Sequence, residues 1–164
     1  MDNASSTSHL PYRPCVGVML INADGKIWVG ERIDTPGAWQ MPQGGIDPDE
    51  TPLSAATREL EEETGIAAEH VTLVDQTKDW LTYDLPQELV LSGKVWKGKF
   101  RGQKQRWFLY RLDAADSLIT IDQPHPEFSA WRWTSPQRLI KDIVPFKREI
   151  YLSVCKQFGN YLPS

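Results

Sequence analysis

The stretch that decides the fold is residues 44–66, GGIDPDETPLSAATRELEEETGI. A glycine turn leads to Glu50 and then to a helix that begins at Thr51-Pro52 and ends at Gly65. Proline is favoured at the first helical position because its missing N–H would have no intrahelical partner. Glycine is favoured just past the last turn, where the backbone becomes left-handed. The segment therefore predicts one helix between these two residues.

The predicted helix has two different faces. At about 100° per residue, one stripe is expected to pack on a core, and it consists of Leu53, Ala56, Leu60 and Thr64. A second face carries Glu59, Glu62 and Glu63, which are three and four residues apart, while Glu61 points away from both. We expect no Lys or Arg on the glutamate face, so its carboxylates repel one another.

Crowded carboxylates have two ordinary explanations. A solvated acidic helix face is the commoner one for a Glu-rich run. The other is a site for a hard divalent cation such as Mg²⁺, which prefers oxygen ligands and would offset the repulsion. The residue types alone leave both explanations open.

The spacing of this segment adds a further observation. Gly44, five residues, Glu50, seven residues, Arg58-Glu59-Leu60, one residue, Glu62-Glu63, one residue and Gly65-Ile66 give nine defined positions within 23 residues. The segment resembles the Nudix box at every one of them. The resemblance implies the Nudix fold, an α/β (α+β) architecture with a mixed β-sheet between α-helices. It also implies hydrolysis of a pyrophosphate linkage in a nucleoside diphosphate that is joined to another group.

The same resemblance implies roles for individual residues of the box. Three helix glutamates are expected to bind Mg²⁺ or Mn²⁺, with more than one ion present, and these are Glu59, Glu62 and Glu63. Gly44 would add a backbone carbonyl as a further ligand. Glu50 and Arg58 would form a supporting ion pair, and Gly65 would complete the structural part of the box. Such cations offset charge in the transition state and lower the pKa of the attacking water.

The remaining sequence predicts one domain over residues 12–164, after a flexible N-terminus at 1–11. Apolar or alternating runs predict strands, and these lie at 15–21, 26–33, 70–77, 106–112 and 128–133, with short extended pieces at 39–41 and 80–86. Two helices are expected near the C-terminus, one after Ser135-Pro136 and one after Pro145. The last helix should bury Ile150, Val154 and Phe158.

Composition excludes several classes of protein. A net charge of -4 argues against nucleic-acid binding through overall charge, although local patches remain open. Two cysteines, Cys15 and Cys155, suggest neither a disulfide framework nor a zinc site. Residues 1–9 lack the features of a secretory signal, and no apolar run has the length of a membrane span. We therefore expect a cytoplasmic, monomeric protein that contacts no membrane and no DNA.

A second resemblance lies outside the box. It is carried by YRPCVGVMLIN, WQMPQGGID, WLTYDLP, GQKQRWFL, PEFSAWRW and PFKREIY, in this order over about residues 12–151. These segments resemble the bacterial RNA pyrophosphohydrolases and the related asymmetric diadenosine tetraphosphate hydrolases. That likeness implies that Glu127 reaches the metals from the opposite side, as a fourth acidic group and candidate general base. Without that likeness, Glu127 would be interpreted as an ordinary loop carboxylate. Which of the glutamates accepts the proton stays open.

The subfamily resemblance also implies substrate contacts. Five residues match positions that contact phosphates or sandwich a base, namely Arg13, Arg32, Tyr83, Phe146 and Lys147. Taken singly, each fits a structural role equally well. Residues 94–106, KVWKGKFRGQKQR, carry six positive charges and no negative one. This segment is either a solvated loop or a phosphate or RNA contact that includes Lys104, and we favour the contact because Trp96 and Phe100 interleave with the charges.

The expected reaction is removal of pyrophosphate from the 5′-triphosphate end of RNA, leaving a 5′-monophosphate, as in the decapping that initiates mRNA decay. The alternative is asymmetric hydrolysis of diadenosine tetraphosphate and related dinucleoside polyphosphates to ATP and AMP. A Nudix domain that binds nucleotide or RNA without cutting it would be expected to lack one of the glutamates, and all are present.

Overall fold

Eight strands form one mixed sheet in the computed structural model, which describes residues 7–163. The strands are β1 Tyr12–Ile21, β2 Ile27–Arg32, β3 Trp39–Gln40, β4 Gln43–Gly45, β5 Val71–Gln76, β6 Leu81–Asp84, β7 Gly102–Leu112 and β8 Phe128–Thr134. The helices are α1 Pro52–Thr64, α2 Gln87–Leu91, α3 Pro136–Asp142 and α4 Arg148–Gln157.

The centre of the sheet is the parallel pair β1 and β7, and every other strand pairing is antiparallel. The order is β3-β2-β1-β7-β5, with β4 also on β1, β6 also on β7, and β8 also on β2. At the middle of the central pair Gly17 lies beside Trp107, and a Cβ atom at Gly17 would lie 2.4 Å from the indole ring. Only glycine lets these two strands pair with the tryptophan in place.

Helices cover both faces of the sheet. Side chains alternate along β1, so that Val16, Val18 and Leu20 pack against α1 on one face. Met19 and Ile21 point to the other face, where α3 and α4 pack. The predicted mixed sheet between helices is confirmed. The predicted stripe of α4 is also buried, as Ile150, Val154 and Phe158 are.

The core-facing stripe of α1 differs from the prediction at one residue. Leu53 is 40% exposed, so its assignment to the core was wrong. The buried arc of the helix is centred on Ala56, Glu59, Leu60 and Glu63. Leu53 lies at the rim of that arc in the first turn, whereas two of the glutamates turn inward.

The segment 94–106 is only partly a loop. Strand β7 starts at Gly102, four residues before the predicted strand, because β1 and β6 supply backbone partners on both sides of Gln103 and Lys104. The polar side chains there hide the strand from a hydrophobic pattern. Helix α2 was not predicted at all.

Two carbonyl groups of the N-terminal segment accept hydrogen bonds. Leu10 donates its N–H to the Thr7 carbonyl, and Arg101 donates to the Ser8 carbonyl. Residues 1–6 of the segment expected to be flexible lie outside the described residues. No helix within residues 7–163 is long and apolar enough to cross a membrane.

Candidate active site

Helix α1 has the caps that its sequence predicts. The Thr51 hydroxyl accepts a hydrogen bond of 3.1 Å from the Ser54 N–H, and Pro52 occupies the first turn. Gly65 ends the helix with φ of 77° and donates its N–H to the Glu61 carbonyl. The caps fix the helix register, and therefore the direction in which its glutamates point.

Strand β4 brings Gly44 against the buried face of α1. The strand pairs with β1, with Gly44 opposite Val16. A Cβ atom at Gly44 would lie 2.1 Å from the Glu59 carboxylate. Glycine at this position is therefore what lets the carboxylate lie against the backbone.

Arg58 is held by the residues that precede the helix. Its Nε donates to Glu50 Oε2 at 2.6 Å and its Nη2 donates to Glu50 Oε1 at 2.8 Å. Nη2 also donates to the Gly45 carbonyl at 3.0 Å. Glu50 accepts a further bond from the Asp47 N–H. Hydrogen bonding to Arg58 lowers the pKa of Glu50 to about 2, so Glu50 is ionised at neutral pH.

The same guanidinium reaches the glutamate face, where no cation was expected. Arg58 Nη1 lies 2.8 Å from Glu59 Oε1 and 3.3 Å from Glu62 Oε1. The expectation of a face without Lys or Arg was therefore wrong. The helical pattern placed Arg58 on a neighbouring face, but its long side chain folds over the carboxylates.

Glu59 and Glu63 form a buried carboxyl pair. They are 9% and 7% exposed. Burial is the main cause that raises the pKa of both groups, and the hydrogen bond between them raises the pKa of Glu63 further. Burial therefore disfavours the charged form of both carboxyls, and a bound cation would offset their repulsion.

Glu127 faces this pair from another element. It directly precedes β8, and its backbone carbonyl accepts a hydrogen bond of 3.1 Å from the Ile33 N–H. Its charge contributes to the raised pKa of Glu63. A cavity of about 270 Å³ separates α1 from residues 123–127 and is lined by Glu59, Glu62, Glu63, Gln123, Pro124, His125 and Glu127.

A larger cleft of about 480 Å³ is lined by the same four glutamates, Glu127 included. Five predicted substrate residues line it, and these are Arg13, Arg32, Tyr83, Phe146 and Lys147. The rings of Tyr83 and Phe146 are 5.9 Å apart and tilted by 34°. The cleft therefore combines cations with an aromatic wall beside a carboxylate cluster.

Lys147 is the most deeply buried of the cleft cations. It is 3% exposed, and its Nζ donates to Gln40 Oε1 at 3.3 Å. Burial, followed by the charge of Arg32, lowers the pKa of Lys147 to about 8. No ion pair of this ammonium group is found among the described residues, so its charge is available to an anion in the cleft.

Lys104 is the one predicted substrate residue that does not line the cleft. Its neighbour Gln103 does, because consecutive residues of β7 point to opposite faces. The cleft also includes polar and apolar residues that were not predicted as site residues, namely Gln40, Gln43, Leu85, Leu89, Val95 and Gln103. Strand alternation in GQKQRW would have indicated Gln103 once β7 was extended to Gly102.

The residues at the cluster suit a divalent cation. The available ligand atoms are carboxylate oxygens, which hard divalent cations prefer. The Gly44 backbone lies so close to the Glu59 carboxylate that no side chain fits between them. Gln43 Oε1 is buried in the same wall without a hydrogen-bond partner among the described residues. Within residues 7–163 no three His, Cys, Asp or Glu side chains stand at coordination geometry as they are placed. Arg58 lies over these carboxylates and donates to Glu59 and Glu62.

The fold and the glutamate helix define a Nudix hydrolase. The model of the NUDIX domain matches residues 11–154, and the chain belongs to this family. Nudix enzymes act on phosphoric anhydrides and generally need a divalent metal ion such as Mg²⁺ or Mn²⁺.

Within the family, several similar curated proteins are named RNA pyrophosphohydrolase. A protein of Cereibacter sphaeroides named RNA pyrophosphohydrolase is 53% identical over 163 residues, which cover 99% of both chains. An RNA pyrophosphohydrolase of Rickettsia bellii is 51% identical over 163 residues, covering 98% of this chain and 99% of the relative. The chain is thus placed in the RNA pyrophosphohydrolase subfamily, as the resemblance outside the box implied.

Solved structures agree on the fold. The E. coli dihydroneopterin triphosphate pyrophosphohydrolase superposes with a TM-score of 0.69 at 21% identity, over 90% of this chain and 99% of that one. A C. elegans Ap4A hydrolase complex superposes with a TM-score of 0.66 at 20% identity, over 90% of this chain and 98% of that one. These likenesses show the fold alone.

Proposed function

We propose that this chain removes pyrophosphate from the 5′-triphosphate end of RNA and leaves a 5′-monophosphate. The observation that carries the proposal is a glutamate cluster that lines two spaces. One is the cationic and aromatic cleft, the other is the cavity lined by Gln123, Pro124 and His125, and Glu127 lines both. A polyphosphate that crosses the cluster can have its nucleotide end in the cleft and its phosphate end in the cavity. The names of the relatives support RNA as the substrate.

The metal sites are assigned to the residues around the cluster. Glu59, Glu62, Glu63 and Glu127, with the Gly44 carbonyl, would hold Mg²⁺ or Mn²⁺, and we propose more than one ion. Cations held there would supply charge stabilisation and would lower the pKa of the attacking water. Arg58 and Glu50 position the helix glutamates, since both are hydrogen-bonded to the turn that carries Gly45.

The other cleft residues bind and orient the substrate. Arg13, Arg32 and Lys147 supply positive charge to the phosphates, and the guanidinium of Arg13 also stacks over Trp96 at 5.4 Å. Tyr83 and Phe146 offer ring faces to a base. Glu127 is the candidate proton acceptor that the resemblance implies, and a base in reach of the water contributes about 10²- to 10⁴-fold.

The test is a competition assay with Mg²⁺ and equal concentrations of 5′-triphosphorylated RNA and diadenosine tetraphosphate. We expect pyrophosphate release from the RNA to be faster. Glu62→Gln and Glu63→Gln should lose most activity and remain folded by circular dichroism. Glu61→Gln is the matched control, because Glu61 is exposed on the same helix and lines neither cavity. Near-wild-type turnover by the first two variants would refute the cluster assignment.

Hydrolysis of diadenosine tetraphosphate to ATP and AMP is the second candidate. It is favoured by the two spaces that the cluster lines, since each end of a dinucleoside polyphosphate needs a space. Faster formation of ATP and AMP in the same assay would make it the leading function. In either case we propose a cytoplasmic enzyme that acts as a monomer through one domain, residues 12–164, without DNA as a partner. Size-exclusion chromatography with light scattering tests the monomer.

A further inference from the structure

A basic and aromatic surface lies on the reverse side of the strands that wall the cleft. It consists of Trp80, Thr82, Lys104 and Arg106, and we name it the Trp80 surface. Thr82 and Lys104 are register partners of β6 and β7, so their side chains share one face. The cleft residues Tyr83 and Gln103 are the next partners along these strands and point the opposite way. The surface and the cleft are thus two sides of the same strands.

Two cations flank an exposed indole on this surface. Trp80 is 38% exposed. The Lys104 ammonium lies 4.9 Å from the ring centroid and the Arg106 guanidinium carbon lies 5.9 Å from it. An aromatic platform between cations is the combination that binds single-stranded nucleic acid, because bases stack on the ring and phosphates pair with the charges.

The positive charge of the surface is not neutralised by ion pairs within residues 7–163. Lys104 has no carboxylate partner there, and Arg106 donates only to the Thr77 carbonyl and the Gln76 side-chain oxygen, which are neutral. In contrast, Arg101 at the nearby end of β7 is paired with Asp84 at 2.9 Å. In a chain with a net charge of -4, two unpaired cations beside an indole favour a polyanionic partner.

No helix of residues 7–163 covers the Trp80 surface, and Trp80 and Thr82 are exposed. Further along the same face of β7, Phe108 and Tyr110 are buried under α1 with Val18 and Leu20. Lys104 and Arg106 precede them on the strand and remain half-exposed. A helix packed on this end of the face would need apolar side chains beneath it, but Lys104 and Arg106 are charged. This end of the face is therefore exposed to solvent.

A polymer leaving the cleft can reach this surface around an open strand. Strand β6 pairs with β7 on one side and with no other strand of the described residues on its outer side. Tyr83 of β6 points into the cleft and Thr82 points to the Trp80 surface. The route therefore crosses one strand, and it is available to an RNA of several nucleotides but not to a dinucleotide.

We propose that the Trp80 surface binds the single-stranded body of the RNA substrate, downstream of the 5′ end held in the cleft. The inference rests on the proposed function, because the substrate must be a polymer. It assigns Lys104, which the sequence predicts as part of a phosphate or RNA contact, to the RNA chain. Contacts of this kind add affinity for long RNA without base-specific readout, since every base has a face that can stack.

The experiment compares two 5′-triphosphorylated substrates, a dinucleotide and an unstructured RNA of about 20 nucleotides, which exceeds the site size of one binding fold. The variants are Trp80→Ala and Lys104→Ala. Lys156→Ala, an exposed lysine on α4, is the matched control for lost charge. We expect kcat/KM for the long RNA to fall about 5- to 30-fold in both variants, as loss of one stacked base or phosphate contact implies. The dinucleotide value should stay within about twofold.

A binding measurement gives a readout that does not depend on turnover. Fluorescence anisotropy with a 5′-monophosphorylated RNA of about 20 nucleotides yields Kd across about 50–200 mM salt. Lys104→Ala should reduce the slope of log Kd against log salt by about 0.7, the value for one phosphate contact on a single strand. The control variant should keep the wild-type slope.

The outcomes separate this inference from the proposed function. Equal losses on both substrates, or unchanged Kd in both variants, would overturn the RNA surface and leave decapping intact. Wild-type protein that cleaves neither RNA would refute decapping, and the anisotropy data would still decide whether the surface binds RNA. If both variants bound RNA like the wild type but no longer bound a protein that the wild type binds, the surface would be assigned to a protein partner instead.

Discussion

Arg58 joins Glu50, which precedes α1, to Glu59 within it. The guanidinium donates two hydrogen bonds to Glu50, of 2.6 and 2.8 Å, and a third of 2.8 Å to Glu59. A bidentate pair fixes the plane of the guanidinium, so its remaining Nη1 points in one direction. The position of the Glu59 carboxylate is therefore set by a residue that comes before the helix.

The first prediction concerns this hydrogen-bonded relay, which runs from Glu50 through Arg58 to Glu59. Arg58→Lys and Glu50→Gln should each lower turnover about 10- to 100-fold, the usual effect of removing a group that orients a metal ligand. Lysine keeps the charge but cannot hold Glu50 and Glu59 at once with a planar fork. The measurement is kcat and Mg²⁺ dependence in the pyrophosphate release assay.

The control for the relay is a second ion pair of similar exposure. Arg132 and Asp142 are 2.6 Å apart on β8 and α3, and neither lines a cavity. Asp142→Asn should leave turnover unchanged. If it lowered turnover as much as Glu50→Gln, the effect would reflect general loosening and the relay would be wrong.

A second prediction concerns the approach of β4 to α1. Gly44→Ala places a methyl group 2.1 Å from the Glu59 carboxylate, so the carboxylate must move. Because the side chain is flexible, the fold should survive while turnover falls about 10- to 100-fold, as for other displaced ligands. Thermal unfolding and the kinetic assay measure the two effects separately. Gly159→Ala, where a Cβ meets nothing within 4 Å, should change neither.

The glutamate helix shows how much of the site can be predicted from the sequence. Its ends follow from Thr51-Pro52 and Gly65, and the direction of Glu59 and Glu63 follows from the register. The burial of those two glutamates does not, because hydrophobic periodicity assigns inward positions to apolar residues such as Leu53. The extension of the Arg58 side chain over the cluster depends on its rotamer. The spacing of residues along a helix does not specify that rotamer.

The basic segment shows where sequence patterns mislead. Six positive charges between residues 94 and 106 suggest one patch. The strand that begins at Gly102 instead sends Gln103 into the cleft and Lys104 to the reverse face. The strand itself depends on pairing with β1 and β6, which are distant in sequence, so alternation could be applied only after the fold was known.

A third prediction is that Lys147 lowers the stability of the fold. Burial lowers its pKa to about 8 from an ordinary 10.5, so folding disfavours its charged form at pH 7. Lys147→Met should raise the free energy of unfolding by about 1–2 kcal/mol, less than the pKa difference implies because Gln40 loses a partner. The same variant should weaken substrate binding. Urea unfolding at pH 7 is the measurement, and the exposed Lys141→Met should stay within about 0.5 kcal/mol of wild type.

A fourth prediction is the pH dependence of this stability difference. The destabilising effect of Lys147 is fully present below pH 8 and disappears as pH rises towards 10.5, because the neutral amine is then favoured in both states. The gain from Lys147→Met should therefore shrink between about pH 8 and 10. An unchanged gain across this range would show that the substitution acts through packing rather than through charge.

The last prediction applies the same pKa to activity. The Lys147 ammonium is charged below about pH 8 and loses its proton above it. Burial lowers the pKa of Lys147 most, followed by the charge of Arg32. The ratio of kcat/KM between wild type and Lys147→Met, measured with 5′-triphosphorylated RNA, cancels the ionisations common to both proteins. We expect the ratio to be largest below pH 8 and to fall towards one above it. A ratio that stays constant up to pH 10 would mean that Lys147 contacts the substrate through its alkyl chain and not through its charge.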